Sequence, residues 1–311
     1  RLNIISFEKA GLTKEQFRYY QEINSSPFEL IELNIISSLQ IDTVDNDVSS
    51  EKEKEDYVKI EHPFSHLHVH SQFSVLQATG SISSIIDKAV EMDMPAVAIT
   101  DHTNMFSAFY LLNKVYNHPV NQGISENEPL KLKPIIGCEL NICQDHTNKS
   151  IKDFGSQQPF LCKNIKGYKN LSKLSSISFI NGFYYVPRVD KELILEYKEG
   201  LIAISGSLYG PVPNLILNVG DAQAEQEFKW WVDNFGNDFY VEINRHGLEK
   251  EDYVNKILIK FAKKYDVKII ASNNVYYINK EDSKAHDILL CVKEGELEKT
   301  PIGKGRGLRY G

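Results

Sequence analysis

The chain has 311 residues, 42% hydrophobic and 25% charged, which is long for one domain, within the range of an α/β barrel, and apolar enough to bury a core. Its formal net charge of -7 argues against a freestanding DNA-binding module, which would carry a basic patch, but allows a part of a larger nucleic-acid enzyme whose basic surface lies elsewhere. Cys138, Cys143, Cys162 and Cys291 form no C-x-x-C pair and lie in or beside apolar runs, no run could span a membrane and no signal peptide is visible, so the expectation is a cytoplasmic protein with reduced core thiols.

Residues 1–60 do not read as a complete domain. Thr13-Lys14-Glu15-Gln16 has capping-box spacing ahead of a helix carrying Phe17, Tyr20 and Ile23. Asp45 to Asp56 is charged, nearly free of large apolar residues, and reads as a solvated linker. The composition changes sharply at about His62, and an alternating pattern begins. A strand at 65–70 precedes a helix at 82–93, where Ile82, Ile85, Ile86, Ala89 and Val90 have helical spacing. A buried strand over 96–100 ends in Asp101-His102, and a helix over 104–116 follows, with Asn104 as its N-cap. After a polar insertion at 117–131 comes a strand over 134–142, with Ile136, Leu140 and Ile142 on one side and Glu139 and Asn141 on the other. Strands at 160–162, 201–205, 239–244 and 268–272 alternate with helices at 168–179, 221–235, 253–265 and 282–293. No internal repeat is visible. Such alternation implies parallel βαβ units, and polar side chains recurring where strands end suit a closed or distorted barrel better than an open sheet.

The stretch Phe64 to Ser74 organises the chemistry. Leu67 and Val69 alternate with His66, His68 and His70, so the three imidazoles should share a strand face. Neutral imidazole is the commonest metal-ligand side chain, and an H-x-H pair aims two ring nitrogens into one volume. The other strand ends carry His102, Glu139, Ser207, His246, and Asn274 with Tyr276. Glu242, Asn244 and His246 share a strand face, so His246 could approach the same place or serve in core or capping contacts. His286 reads as structural, His62, His118 and His146 as solvated loop residues, and Trp230 and Trp231 as core. Lys304, Arg306 and Arg309 could touch phosphate or simply line a flexible connector.

Phe64–Ser74, Ala98-Ile99-Thr100-Asp101-His102 and Gly137-Cys138-Glu139 together resemble the PHP (polymerase and histidinol phosphatase) domain, in the form found at the front of bacterial DNA polymerase III alpha subunits. Gly167 to Leu171, Glu242 to Gly247 and Ala285 to Val292 extend the resemblance, and Pro301 to Gly307 resembles the lead into a polymerase part. It implies a distorted (β/α)7 barrel over 61–297. Residues 1–60 would then be an N-terminal extension and linker, similar to the end of a fused exonuclease-like domain, and 298–311 a connector toward the polymerase core. With its start at Arg1 and its end in mid-pattern at Gly311, the chain is expected to be a piece of something longer.

Active PHP domains hold a cluster of metal ions and hydrolyse phosphoesters. Carried over by position, the resemblance keeps His68, His70, His102 and Glu139 as metal ligands. It places Gln77, Gln157, Ser207, Asn274 and Tyr276 where the family has acids, histidines or cysteine. Amides and hydroxyls lack the negative charge that offsets a dication, and a trinuclear cluster would bring about six positive charges. The expectation is a degenerate site, holding one Zn or Mn ion or else a metal-free polar network. The implied role is a structural part of a replicative DNA polymerase. It would scaffold the polymerase core of the same chain, dock a fused or separate proofreading exonuclease, and meet DNA through the complete enzyme, whose Mg sites lie outside these residues. The alternative is an active metal-dependent phosphoesterase or 3′–5′ exonuclease.

Overall fold

The computed structural model describes residues 64–125 and 128–301. The expectations for residues 1–60, His62, Lys304, Arg306 and Arg309 fall outside the described residues. A six-stranded sheet runs in sequence order: β1 (Ala96–Ile99), β2 (Lys133–Ile142), β3 (Ser156–Cys162), β4 (Leu201–Ile204), β5 (Phe239–Ile243) and β6 (Lys268–Ala271). The sheet curls until its ends meet through one irregular segment. His70 N donates to Val275 O and Val275 N to His68 O on one side of that segment. On the other, Ala98 N donates to His66 O and Thr100 N to Val69 O. Residues 66–70 therefore stand between β1 and the chain leaving β6, as the expected first strand of a distorted α/β barrel. They pair through single bridges rather than a regular ladder, Val69 facing Val275.

The expectation of parallel units fails at β3. It pairs antiparallel with both β2 and β4, while β1–β2, β4–β5 and β5–β6 are parallel. No helix forms in residues 143–155, so β3 returns beside β2 as an antiparallel partner, and β4, reached through residues 163–200, runs opposite to β3.

Alternation along each strand sorts side chains between two environments. Outward residues Cys138, Leu140, Phe160, Cys162, Leu201, Ala203, Phe239 and Val241 pack against the helical layer. That layer comprises α3 (Ile165–Ile180), α4 (Lys191–Tyr197), α5 (Pro211–Asn218), α6 (Asp221–Phe235) and α7 (Glu249–Tyr265), numbered after α1 (Ile82–Glu91) and α2 (Ser107–Tyr116); α8 (Ser283–Glu294) follows β6. α7 buries Val254, Ile257, Leu258, Phe261 and Ala262, a continuous helical stripe. α6 supplies Phe228, Trp231 and Phe235 to the same core, which settles the reading of Trp231. α1 and α2 cover the β1 side, with Ile86, Leu111 and Val115 against Val69, Val97 and Ile99. Inward residues Leu67, Ala98, Leu161, Ile202, Ile204 and Ile270 fill the barrel interior, joined by Ile135 and Tyr240.

α4 and α5 lie where no helix was expected. Asp190 caps α4, its side chain accepting from Leu193 N. The prolines that discourage a helical reading of 211–218 fall in the first turn of α5, where a missing N–H costs nothing. Asn104 does not cap α2 as expected. Its Oδ1 takes the Phe106 N–H and the helix begins at Ser107. All four cysteines are buried and unpaired with one another. No helix among the described residues is long and apolar enough to cross a membrane.

Candidate metal centre

The inward faces change character along the strands. Each runs from apolar to polar toward its C-terminal end: Ala98, Thr100, His102; Ile135, Gly137, Glu139, Asn141; Tyr240, Glu242, Asn244; Ile270, Ser272, Asn274. The polar group collects at the rim where barrels of this kind carry chemistry. Two local features set it. A Cβ on Gly137 would lie 2.6 Å from Phe160 O and 2.7 Å from Thr100 Cγ2, so only glycine lets β2 pass that close beneath Glu139. Just past β1, Thr103 has φ 62, held by Thr103 N to Glu139 O at 2.7 Å and Thr103 Oγ1 to His102 O at 2.8 Å. This turn places His102 beside Glu139.

Of the expected ligands, His68, His70 and Glu139 present donor atoms within 4.8 Å of one another, all buried. His68 Nε2 is 3.1 Å from Glu139 Oε1, and His70 Nε2 is 3.9 Å from Glu139 Oε2. His102 also reaches the cluster, Nδ1 donating to Glu139 Oε2 at 3.0 Å. Its Nε2 faces Asn141 Nδ2 at 3.3 Å, and the same amide donates to Pro187 O. Nε2 is therefore the acceptor and Nδ1 carries the proton, so in this arrangement His102 steadies Glu139.

Glu242 is the residue the sequence reading passed over in favour of its neighbour His246. It is buried, and both its oxygens face His68 Nδ1, at 3.0 and 3.1 Å. Asn244 Nδ2 donates to it at 3.2 Å and to Ser272 O at 2.9 Å. The signal was available: an acid between Val241 and Ile243 on a core strand requires a partner. His246 turns away, its backbone N and ring Nδ1 bonded to Glu251 and its Nε2 to Asn273 O at 2.6 Å.

Burial alone would strip the proton from His68, but the Glu242 and Glu139 carboxylates outweigh it and hold the ring's pKa up at about 10. Burial opposes charge on Glu139 too. Hydrogen bonds from His102 and His68 prevail, and the carboxyl sits well below its ordinary range. Glu242 is lowered despite burial, chiefly by the charge on His68. His70 goes the other way, burial taking it down to about 3. Its Nδ1 lies 3.1 Å from Ser74 Oγ, whose own proton goes to Asp101 Oδ1 at 2.7 Å. Ser74 can therefore only accept from His70, which leaves Nε2 with a lone pair once the Asn274 amide, placed with Oδ1 3.0 Å away and Nδ2 unpartnered, is turned to donate Nδ2 to it. The buried Asp101 also takes Ser71 N and Ser71 Oγ, pinning the turn after the H-x-H pair.

The positions that the resemblance marks as substituted carry neutral side chains. Asn274 meets His70 Nε2 at 3.0 Å, and its Nδ2 and the Ser207 hydroxyl are buried without a partner among the described residues. Tyr276 stacks on His70 at 4.3 Å and 6°, and on its other side meets His286 at 5.7 Å. His286 Nε2 donates to Gln77 O, the structural use expected of it. Gln157 lies opposite Asn141 on β3, facing the same side. Two solvated-loop readings need correction. His118 caps a short turn, its Nδ1 accepting from Val120 N. His146 is largely buried and bonds Asp190 through both its ring and its backbone N, a pairing hidden by a sequence separation of 44.

This donor set fits a dication. The cluster holds two buried carboxylates, Glu139 and Glu242, against which the protonated His68 stands as the internal cation. One divalent ion on Nε2 of His68 and His70 and on Glu139 would displace that proton and be matched in charge.

A profile of the PHP domain family matches residues 66–246. The DNA polymerase III alpha subunit of Borreliella burgdorferi is 42% identical over 238 residues, covering 75% of this chain and 20% of that protein. That of Aquifex aeolicus is 37% identical over 247 residues, covering 76% and 20%. The chain thus spans about a fifth of the length of the curated relatives it matches. A solved structure from Bifidobacterium adolescentis, provisionally designated a metal-dependent phosphoesterase, overlays with a TM-score of 0.45 at 11% identity, covering 70% of this chain and 88% of that one.

Proposed function

This chain belongs to the PHP domain family, and from that premise we propose that it is the PHP part of a replicative DNA polymerase III alpha subunit. In this reading residues 61–297 are the PHP domain, 1–60 an extension, and 298–311 the connector to the polymerase core. The metal site is degenerate. It takes at most one Zn or Mn ion, and the barrel serves as scaffold for the polymerase core and as a dock for the proofreading exonuclease. DNA is met through the complete enzyme, whose Mg ions lie elsewhere. The observation that carries the degenerate reading is the charge count: Glu139 and Glu242 are the buried carboxylates against the histidines, while Ser207 and Asn274 are neutral.

His68, His70 and Glu139 would hold the ion and His102 would orient Glu139. A bound ion would supply Lewis acidity toward a phosphoryl oxygen. Convergence of those donors within 4.8 Å is what favours the second reading, a working phosphoesterase or 3′–5′ exonuclease. Elemental analysis of the purified 311-residue chain, with phosphodiester turnover assays in Mn²⁺ and Zn²⁺, separates the two. One ion or none and no turnover is expected. Two or more tightly held ions, or turnover abolished in a His68→Ala, His70→Ala double variant, would overturn the scaffold reading.

A further inference from the structure

The residue furthest from any expected role is Glu242. It comes from β5, two strands round the barrel from the H-x-H segment and 174 residues away in sequence, and yet turns both oxygens to a single ring nitrogen, His68 Nδ1. An ion-pair cross-link alone would be satisfied by one oxygen, and Asn244 bonds only Oε1 of the pair. The geometry has a specific consequence. A carboxylate on Nδ1 forces the proton there and leaves Nε2 to face Glu139, 3.1 Å away. The neighbouring His70 is fixed in the same sense by a weaker acceptor, Ser74 Oγ at 3.1 Å. The two rings thus present the same nitrogen, one held by a charge and the other by a hydroxyl.

We propose that Glu242 is the positioning carboxylate of this centre, fixing the His68 ring so that its Nε2 serves a divalent cation together with His70 and Glu139. Its negative charge also raises the basicity of that nitrogen and completes the charge match for a single ion. This rests on the single-ion reading above, and its test keeps the two apart. Calorimetric titration of the 311-residue chain with Mn²⁺ and with Zn²⁺ alone should show Glu242→Gln weakening binding about 10- to 100-fold at unchanged stoichiometry. Ser74→Ala should weaken it less, and His68→Ala should remove the nitrogen and most of the binding. Proton–nitrogen NMR of the same proteins without metal reads the ring directly. The wild type and Glu139→Gln should show a slowly exchanging His68 Nδ1–H resonance that Glu242→Gln and His68→Ala lack. If the wild type takes up neither ion but shows that resonance, the ion reading falls and the ring-holding role of Glu242 stands. Absence of the resonance in the wild type, or unchanged ion affinity in a folded Glu242→Gln protein, overturns the proposal.

Discussion

Raising the pH should destabilise the metal-free protein in a range where most proteins are indifferent. His68 has an ordinary pKa of 6.5 in the unfolded chain and about 10 in the folded one. Below pH 6.5 the ring is protonated in both states, and the stabilisation from its two carboxylates is complete. Between 6.5 and about 10 only the folded chain keeps the proton, so each pH unit removes roughly 1 kcal/mol, a few kcal/mol over the window. Acid works from the other side. His70 and His66, lowered by burial from 6.5 to about 3 and about 4, are neutral in the fold and take up protons on unfolding once the pH drops below 6.5. The stabilisation carried by Glu139 and Glu242, whose folded values lie below their ordinary 4.5, is lost as pH falls through those depressed values. Stability should therefore peak near neutrality. The assay is urea unfolding in EDTA at pH 6.5, 7.5 and 8.5, below the lysine range; the buried thiols of Cys138, Cys143 and Cys162, raised by burial, add a smaller fall toward pH 8.5 that a His68 variant shares. A fall of roughly 2 kcal/mol across the series is expected, and a His68→Gln protein should lose most of that slope. A wild-type profile that is flat or rising from 6.5 to 8.5 would refute the imidazolium between two carboxylates.

Arg188→Met tests the loop framework beside the site. The buried guanidinium donates to the carbonyls of Gly182, Asp153, Asn148 and His146, so its loss should cost about 3–5 kcal/mol in urea unfolding, allowing for partial rehydration of the carbonyls. A loss under about 1 kcal/mol would mean the loops hold without it. Gly137→Ala places a methyl 2.6 Å from Phe160 O and should cost about 1–3 kcal/mol, with visible shifts in the His102 and His68 ring resonances because Glu139 is two residues on. An alanine protein of unchanged stability and spectra would show that β2 and β3 can spread apart.

How much of this was legible from sequence varied with the distance over which each feature is decided. Alternation within a strand is local, so Ile136, Leu140 and Ile142 separated correctly from Glu139 and Asn141, and His68 and His70 were found before any coordinates. The stripe on α7 was readable for the same reason, although the helix starts at Glu249 rather than at 253. What escaped was decided between segments. The direction of β3 depends on its neighbours' pairing, which a short apolar run does not encode. His246 and Glu242 lie on one face, and only the placement of Glu251 and Asn273 O draws the histidine off and leaves the acid to face His68. His102 was placed at the site, but that Asn141 takes its second nitrogen depends on the bridge that sets His102 against Glu139.

The bridge between Val69 and Val275 carries a consequence for biosynthesis. A ribosome adding about 5–20 residues per second releases the His68 segment some ten seconds or more before Glu242, 174 positions later, is made. Through that interval the H-x-H strand has β1 on one flank and nothing on the other, an open edge of the kind that chaperones shield and aggregates recruit. The cluster is thus a late product of translation, and a nascent chain stalled ahead of β5 would carry its histidines beside Glu139 without the acid that steadies them.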